Sequence, residues 1–279
     1  MIKYLFEGDV VMLILAFLLL AIGAAVIYVR CCGFVVWKTA LLFAGCFIAL
    51  NLFYIVVAWV ASWFVNPSKP LSRQNAVCRS ACVYASYIVT GYCWVRTHVR
   101  GAEKLPEAGR FLLVSNHRSM FDPIALTRAL RRFNISFVSK PSNMKMPVLG
   151  RIGYGAGCLP IDRENDRKAL TAILTAADYL KRGLCSMAIY PEGTRSRGSE
   201  LLPFHAGSFK IAQKANVPLV ITSISGTEKV GKNVLRRPTD VYVDILEVIP
   251  AEKVKAMSTR ELAEYSSHVI EENLKAIPA

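Results

Sequence analysis

The chain has 279 residues, 53% of them hydrophobic, and a formal net charge of +14 at pH 7, a combination that argues against an ordinary soluble globular protein. A charge of this size indicates an anionic partner, either nucleic acid or a membrane surface. Residues 1–95 contain only 6 of the 34 Lys and Arg residues, and this apolar first third favours the membrane, because a nucleic-acid-binding protein needs no spanning segments.

Two long uncharged runs lie near the N-terminus. Val10–Val29 has 20 residues, which at ~1.5 Å per residue matches a bilayer core of ~30 Å, and Thr39–Val65 follows after a short loop. A secretory signal peptide is the alternative for the first run, but acidic residues precede this run and a second run follows it. Residues 1–68 are therefore predicted to form a transmembrane hairpin, with spans at about 10–29 and 39–65.

Residues 69–95 are predicted to contain an amphipathic connecting helix. The segment is mostly apolar with a narrow polar stripe, so it either lies in the membrane interface or packs on the following domain. A third span is less favoured, because Arg79 lies inside it. The basic residues around the hairpin place both termini in the cytoplasm, although Arg30 and Lys38 in the short loop oppose this orientation. We expect an integral membrane protein whose main domain lies on the cytoplasmic face.

Residues 96–279 alternate β-rich runs with helical stretches, which predicts an α/β fold around a sheet. The predicted strands are Phe111–Ser115, Ile135–Val138, Leu159–Ile161, Ser186–Tyr190, Leu219–Ser223 and Val241–Val248. The predicted helices are Asp166–Arg182, Phe204–Ala215 and Thr259–Leu274. The eight cysteines show no C-x-x-C pair and no His cluster beside them, so we expect no metal site.

A histidine and an aspartate follow the first of these strands, in the segment Asn116–Pro123. Histidine is the commonest general base, and a carboxylate that accepts from one ring nitrogen fixes its tautomer. The five-residue step from His117 to Asp122 allows the two side chains to meet only across a turn, which Asp122 and Pro123 can supply. The alternative is an ordinary helix cap, with Ser119 and Asp122 as a capping box.

A second polar segment, Tyr190–Arg197, follows the strand that begins at Ser186. Gly193 beside Thr194 and Arg195 suits a phosphate, because backbone N–H groups can approach closely and Arg can bind bidentately. An ordinary polar turn is the alternative.

Lys140 and Arg163 each follow a predicted strand, so they can converge with His117 at one edge of the sheet. Ordinary surface charge is the alternative for both residues. Neither residue identifies a site by itself, and each becomes a candidate only together with the polar segments around His117 and Gly193.

Together these segments resemble the 1-acylglycerol-3-phosphate O-acyltransferase family, the glycerolipid acyltransferases with an Asn-His-x4-Asp motif. The resemblance covers roughly residues 96–250, and its joint occurrence in the family's order is specific, whereas each block alone is not. The blocks are His117 with Asp122, Gly150 with Arg163, Glu192–Ser196, and Val217–Val220. The resemblance implies that residues 96–279 form an acyltransferase catalytic domain with a mixed, mostly parallel sheet flanked by helices.

The resemblance also implies a direct acyl transfer. His117 would take the proton from the sn-2 hydroxyl of lysophosphatidate, and Asp122 would orient His117. The hydroxyl oxygen would attack the thioester of acyl-CoA or acyl carrier protein, without an acyl-enzyme, and form phosphatidate for phospholipid synthesis. The implied partners are membrane lipids and the acyl donor, and no metal or other cofactor is implied.

Further site residues follow from the same resemblance. The residues implied to bind the substrate phosphate are Arg163, Glu192, Gly193, Thr194 and Arg195, with Lys140 as a helper. Val217 and Pro218 would line the acyl or acceptor pocket. Two alternatives stay open: a different lysophospholipid or glycerol phosphate as acceptor, or a non-catalytic membrane protein that binds anionic lipid. The His117 and Asp122 pair argues against the last, because binding alone needs no base.

Overall fold

The computed structural model describes residues 5–107, 109–162, 165–196, 200–234 and 236–276. Its α-helices are α1 (Leu5–Cys32), α2 (Val36–Ser62), α3 (Ala76–Tyr92), α4 (Asp122–Ala129), α5 (Pro141–Met144), α6 (Leu149–Gly155), α7 (Asp166–Lys181), α8 (Lys210–Ala215), α9 (Thr227–Asn233), α10 (Ala251–Ala256) and α11 (Thr259–Ala276). Its strands are β1 (Val95–Arg100), β2 (Leu112–Ser115), β3 (Ile135–Ser139), β4 (Leu159–Pro160), β5 (Ser186–Ile189), β6 (Leu219–Ser225) and β7 (Thr239–Ile249).

Helices α1 and α2 pack against each other as a hairpin around Gly33, whose φ of +79° suits a residue without a Cβ. The segments Val11–Cys32 and Val36–Ser62 are long and apolar enough to cross a membrane, judged by length and composition. The second predicted span extends three residues too far, because the helix ends at Ser62. The two apolar helices are consistent with membrane association.

Helix α3 lies between the hairpin and the α/β domain. Toward the hairpin, the hydroxyl of Tyr54 donates to Ser80 Oγ at 2.9 Å, and the buried hydroxyl of Tyr84 donates to Asn51 Oδ1. On its other sides α3 packs against α4 and α6. Of the two placements considered for this amphipathic helix, packing on the domain is therefore present in the structure.

The seven strands form one sheet in the order β1-β7-β6-β2-β5-β3-β4, with every neighbouring pair parallel except β6 and β7. Alternation along β2 builds the two core faces: Leu112 and Val114 pack on the side of α7, α8 and α11, whereas Leu113 packs on the side of α4. The predicted mixed, mostly parallel sheet flanked by helices is confirmed. Strand β1 was not predicted, since its sequence alternates polar residues with few apolar ones.

Five strands, β6, β2, β5, β3 and β4, run in the same direction, so their carboxyl ends share one edge of the sheet. We call this the carboxyl edge, and the other end of the same strands the amino edge. His117 follows β2, Tyr190 follows β5 and Lys140 follows β3, so the topology places all three at the carboxyl edge. This edge is where open α/β sheets bind their ligands.

Candidate active site

The Asp122 carboxylate lies at the centre of the polar contacts on the carboxyl edge. The side chain is fully buried, at the first residue of α4. Its Oδ2 accepts from His117 Nδ1 at 2.7 Å and from the backbone N–H groups of Arg118 and Ser119 at 2.8 Å each. Its Oδ1 accepts from the hydroxyl of Thr227. An ionised carboxylate only accepts, so these contacts place a proton on Nδ1 of the imidazole.

The structure contains the contact between Asp122 and His117 and only one half of the predicted capping box. The Asp122 carboxylate accepts from the N–H of Ser119, as one half of a capping box would, but Ser119 Oγ accepts from the N–H of Phe121 at 3.2 Å and not from that of Asp122. The same Oδ2 atom contacts His117. The Asp122 carboxylate therefore holds the turn after His117 through the N–H groups of Arg118 and Ser119, and this turn brings the histidine to the carboxylate.

The His117 ring packs on a buried aromatic ring on one side and is partly exposed to solvent on the other. Its ring stacks on Tyr190, with the ring centroids 4.2 Å apart and an interplanar angle of 15°, and 20% of the His117 side chain is exposed. Burial raises the pKa of the Tyr190 hydroxyl well above its usual value, so this neighbour stays neutral. Because Nδ1 is bonded to Asp122, Nε2 is the nitrogen left to accept a proton from a ligand.

The main chain at His117 is fixed by the segment that follows β5. Glu192 Oε1 accepts from the N–H of His117 at 2.5 Å, and its Oε2 accepts from the N–H of Leu202 at 3.0 Å. The carbonyl of His117 accepts from the N–H of Ser196 at 2.8 Å. The loop after β5 thus positions the histidine through both of its backbone groups, by a side chain at the N–H and by a backbone N–H at the carbonyl.

These contacts revise the predicted role of Glu192 as a direct phosphate ligand. The carboxylate is buried, both of its oxygens already accept backbone N–H groups, and a negative charge would repel a phosphate. Burial raises the pKa of Glu192, and the N–H groups of His117 and Leu202 act in the opposite direction. Glu192 is a positioning residue for the backbone of His117.

The other predicted phosphate ligands lie on the surface of the same edge. Gly193, Thr194 and Arg195 are exposed directly after the buried Glu192, and Gly193 has a φ of +81° that favours glycine. Lys140 is exposed at the end of β3. These cations and backbone groups surround the open side of the carboxyl edge, and their role in binding phosphate stays a prediction.

Of the second block, Arg163 lies outside the described residues. Gly150 is buried in α6, where an added Cβ would lie 2.4 Å from the carbonyl oxygen of Met144. The packing of α6 against α5 therefore requires glycine at this position.

The predicted pocket residues Val217 and Pro218 lie at the amino edge of the sheet, away from His117. They precede β6, which runs parallel to β2 with Leu219 beside Leu112. The length of β2 separates them from His117, which is ~10 Å for the strand alone at ~3.3 Å per residue. The carbonyl of Pro218 accepts from the N–H of Leu112 at 3.0 Å, and Val217 is buried in the core. Their contacts are those of residues that start β6, and the role of lining the acyl or acceptor pocket stays a prediction.

Two further residues complete the site: Asn116 of the Asn-His-x4-Asp motif, for which no role was predicted, and Thr227, which was not predicted. Asn116 is fully buried and bridges to β6 through both atoms of its amide, donating to the carbonyl of Ile224 and accepting from its N–H, each at 2.8 Å. Thr227, at the start of α9, donates to Asp122. The sequence contains a signal for Thr227, because this residue lies shortly after a β-rich run, as His117 and Gly193 do.

The arrangement has the parts of a general base. A buried carboxylate bonds one nitrogen of the imidazole, backbone hydrogen bonds fix the main chain, and the second nitrogen faces an open edge that carries cations. Such a histidine can take a proton from a hydroxyl group and return it to a leaving group.

Comparisons with known proteins identify the family to which the chain belongs. A family model described as Acyltransferase matches residues 96–225. The 1-acyl-sn-glycerol-3-phosphate acyltransferase of Salmonella typhimurium is 31% identical over 167 residues, which cover 60% of this chain and 67% of that protein. The human beta form of that enzyme is 32% identical over 173 residues, covering 61% and 62% of the two chains.

The fold is shared with a solved structure. The crystal structure of a 1-acyl-sn-glycerophosphate acyltransferase from Thermotoga maritima matches with a TM-score of 0.62 and 22% identity, over 81% of this chain and 90% of that one. The sequence relatives and the family model together define the class: this protein is an enzyme, an acyltransferase. Its sequence relatives then define the group within that class. The chain belongs to the 1-acyl-sn-glycerol-3-phosphate acyltransferase family.

Proposed function

We propose that the protein transfers a fatty acyl group to the sn-2 hydroxyl of lysophosphatidate, with His117 as the general base. The observation that carries the proposal is the contact of 2.7 Å between His117 Nδ1 and the buried Asp122 carboxylate, at the edge that also presents Arg195 and Lys140. The names of the relatives support the acceptor.

In the proposed reaction, His117 Nε2 takes the hydroxyl proton as the acceptor oxygen attacks the thioester carbonyl. The new C–O ester bond forms and the C–S bond breaks. The thiolate leaves with the proton that the imidazolium returns, so no acyl-enzyme forms. Asp122 stabilises the imidazolium while it carries the proton. The reaction needs no metal or cofactor beyond the acyl thioester.

The acceptor phosphate is proposed to bind where the chain turns after Glu192. Gly193, Thr194 and Arg195 offer backbone, hydroxyl and guanidinium donors there, and Lys140 adds a cation from the end of β3. Arg163, in the predicted second block, is proposed as a further phosphate ligand. A phosphate held here leaves the glycerol hydroxyl of the same molecule free to reach His117.

The protein is proposed to sit in a membrane through the α1–α2 hairpin, with the α/β domain on the cytoplasmic side. The two apolar helices support the anchoring, and the distribution of basic residues supports the orientation. A cysteine-labelling experiment on the hairpin loop and on the C-terminus, with a reagent that does not cross membranes, tests the topology.

Acceptor and donor can be tested in one assay with the full-length protein. Lysophosphatidate, lysophosphatidylglycerol and glycerol 3-phosphate compete for an acyl-CoA, and in a second series for an acyl carrier protein thioester. The proposal predicts that lysophosphatidate is the preferred acceptor, with its product acylated at sn-2. Preferred acylation of either competitor would contradict the acceptor, and acylation at sn-1 would contradict the position.

A further inference from the structure

Three arginines lie close together at the end of α4 that is farther from Asp122. Arg128 is in the last turn of α4, and Arg131 and Arg132 are in the 3-10 turn Arg131–Phe133 that follows it. This turn lies against α1 of the hairpin. The proposed reaction uses none of these residues.

Two of the guanidinium groups share one aromatic ring. Arg128 Cζ lies 4.1 Å from the centroid of the Tyr87 ring, and Arg131 Cζ lies 5.9 Å from the same centroid. The two cations are therefore held near each other by a side chain of α3. Burial lowers the pKa of Arg128, and the charge of Arg131 lowers it further. The Nε atom of Arg131 is buried without a hydrogen-bond partner.

Within the described parts of the chain, no carboxylate forms a salt bridge with Arg128, Arg131 or Arg132. The C-terminal dipole of α4 attracts cations in its last turn, and this is the simplest account of a single arginine there. It does not explain why two guanidinium groups converge on a ring of a different helix. Two partly buried like charges at one point favour an anion between them.

The surroundings identify the source of that anion. Tyr87 packs in the apolar cluster that joins α3 to the hairpin, together with Ile14 and Phe17 of α1. At the C-terminal end of α3, Tyr92 and Trp94 are 62% and 56% exposed. Amphipathic aromatic rings of this kind are enriched at the level of lipid headgroups. The arginines therefore lie beside Tyr87 and the apolar helix α1, and the same helix α3 ends in exposed aromatic residues, which is the setting of a lipid headgroup.

We propose that Arg128, Arg131 and Tyr87 form a binding site for the phosphate of an anionic phospholipid, separate from the acyl-transfer site. The two guanidinium groups bind the phosphate oxygens, and the acyl chains lie along the exposed surface of α1. The site fixes the domain against an anionic leaflet at the end of α4 that is remote from Asp122. It takes a membrane lipid as a bound partner and does not acylate it.

The test uses the full-length protein in a neutral detergent and measures its melting temperature. Phosphatidylglycerol is titrated against phosphatidylcholine, because a ligand that binds only the folded state raises the melting temperature. We expect an increase with phosphatidylglycerol that phosphatidylcholine does not produce. In Arg128→Gln/Arg131→Gln, the apparent affinity for phosphatidylglycerol should fall about 30-fold, for two cations near an anionic lipid.

A matched control removes the same charge elsewhere. Lys253 and Lys255 are exposed on α10, which packs on the opposite face of the sheet from α4, so Lys253→Gln/Lys255→Gln should keep the full increase. Equal losses in both double variants would overturn the proposal, because the effect would then be one of net charge. An unchanged increase in Arg128→Gln/Arg131→Gln, or none in the wild type, would also overturn it.

Two further measurements separate a lipid site from a site for free phosphate, and bidentate binding from charge alone. Inorganic phosphate is added in place of lipid, and an increase equal to that of phosphatidylglycerol would contradict a lipid site. Arg128→Lys/Arg131→Lys keeps both charges but loses the planar fork, and it serves if the glutamine variant does not fold. We expect it to fold and to bind phosphatidylglycerol several-fold more weakly than the wild type, and unweakened binding would contradict the bidentate contact.

Discussion

The two edges of the central sheet differ in what their motif residues contact. At the carboxyl edge, the buried carboxylates of Asp122 and Glu192 bond the side chain and the backbone of His117. At the amino edge, Pro218 accepts a backbone hydrogen bond and Val217 fills the core. The comparison teaches that motif blocks of one family can have different purposes, and that strand direction decides which edge a block reaches. Mutations that separate activity from stability test this division.

Among the residues that position His117, the largest effect is expected for Asp122→Asn. An amide cannot accept from both His117 Nδ1 and the hydroxyl of Thr227, so the imidazole loses its fixed orientation and its countercharge. Thiol release from the acyl donor should fall about 10²- to 10³-fold. The control is Asp240→Asn, since Asp240 forms an exposed pair with His98 at the same 2.7 Å. Similar losses in both variants would show that the comparison of the edges is wrong.

A smaller effect is expected for Glu192→Gln. The amide NH₂ of glutamine cannot accept a hydrogen bond, so the N–H of either His117 or Leu202 loses its acceptor. The backbone at His117 is then held less firmly. We expect turnover to fall about tenfold, the size of one lost hydrogen bond at a charged group. Glu247→Gln, at an exposed carboxylate on β7, is the control.

The raised pKa of Glu192 also sets a sign for stability. A carboxyl whose pKa is raised on folding costs stability as its charge forms, so its contribution declines as pH rises through the folded-state pKa. Glu192→Gln should therefore lower the melting temperature less at high pH than at low pH, because the buried charge that it removes destabilises the wild type only at high pH. A loss of stability that grows with pH would contradict the burial cost.

Thr227→Val should have a still smaller effect. The exchange keeps the shape but removes the hydroxyl that bonds Asp122 Oδ1, which leaves a buried acceptor unpaired at a cost of about 1–3 kcal/mol. We expect a several-fold loss of turnover and a lower melting temperature. Thr227→Ser keeps the hydroxyl and should retain most of both. A valine variant with wild-type turnover would remove Thr227 from the site.

At the amino edge, Val217→Ala should leave turnover and acyl-chain preference unchanged. The buried side chain loses volume, and the free energy of unfolding should fall by about 1 kcal/mol. Chemical denaturation and a competition among acyl donors of different length measure the two properties. A changed chain-length preference would instead support the predicted pocket role of this residue.

Much of the catalytic edge could be predicted from the sequence, because it depends on local order. His117, Tyr190 and Lys140 directly follow β-rich runs, and parallel strands bring such positions to one edge. The hairpin could be predicted equally well, because the length and hydropathy of a span are local properties of the sequence. The capping turn at Asp122 was also predictable, although whether it served the helix or the histidine was not.

What could not be predicted depends on contacts between distant segments. The place of Val217 required the direction of β6, and the role of Glu192 required the knowledge that its two oxygens meet backbone groups 75 and 10 residues away. The edge strand β1 was missed because it has little apolar alternation, and its pairing with β7 is a contact across the whole domain.

The central claim is that His117 takes the proton from the acceptor hydroxyl. The most direct test is single-turnover thiol release by His117→Ala with lysophosphatidate and an acyl thioester, compared with the wild type at equal substrate occupancy. The account predicts a loss of at least about 10³-fold, with a melting temperature close to that of the wild type because the ring is partly exposed. Thiol release within about threefold of the wild type would contradict the account.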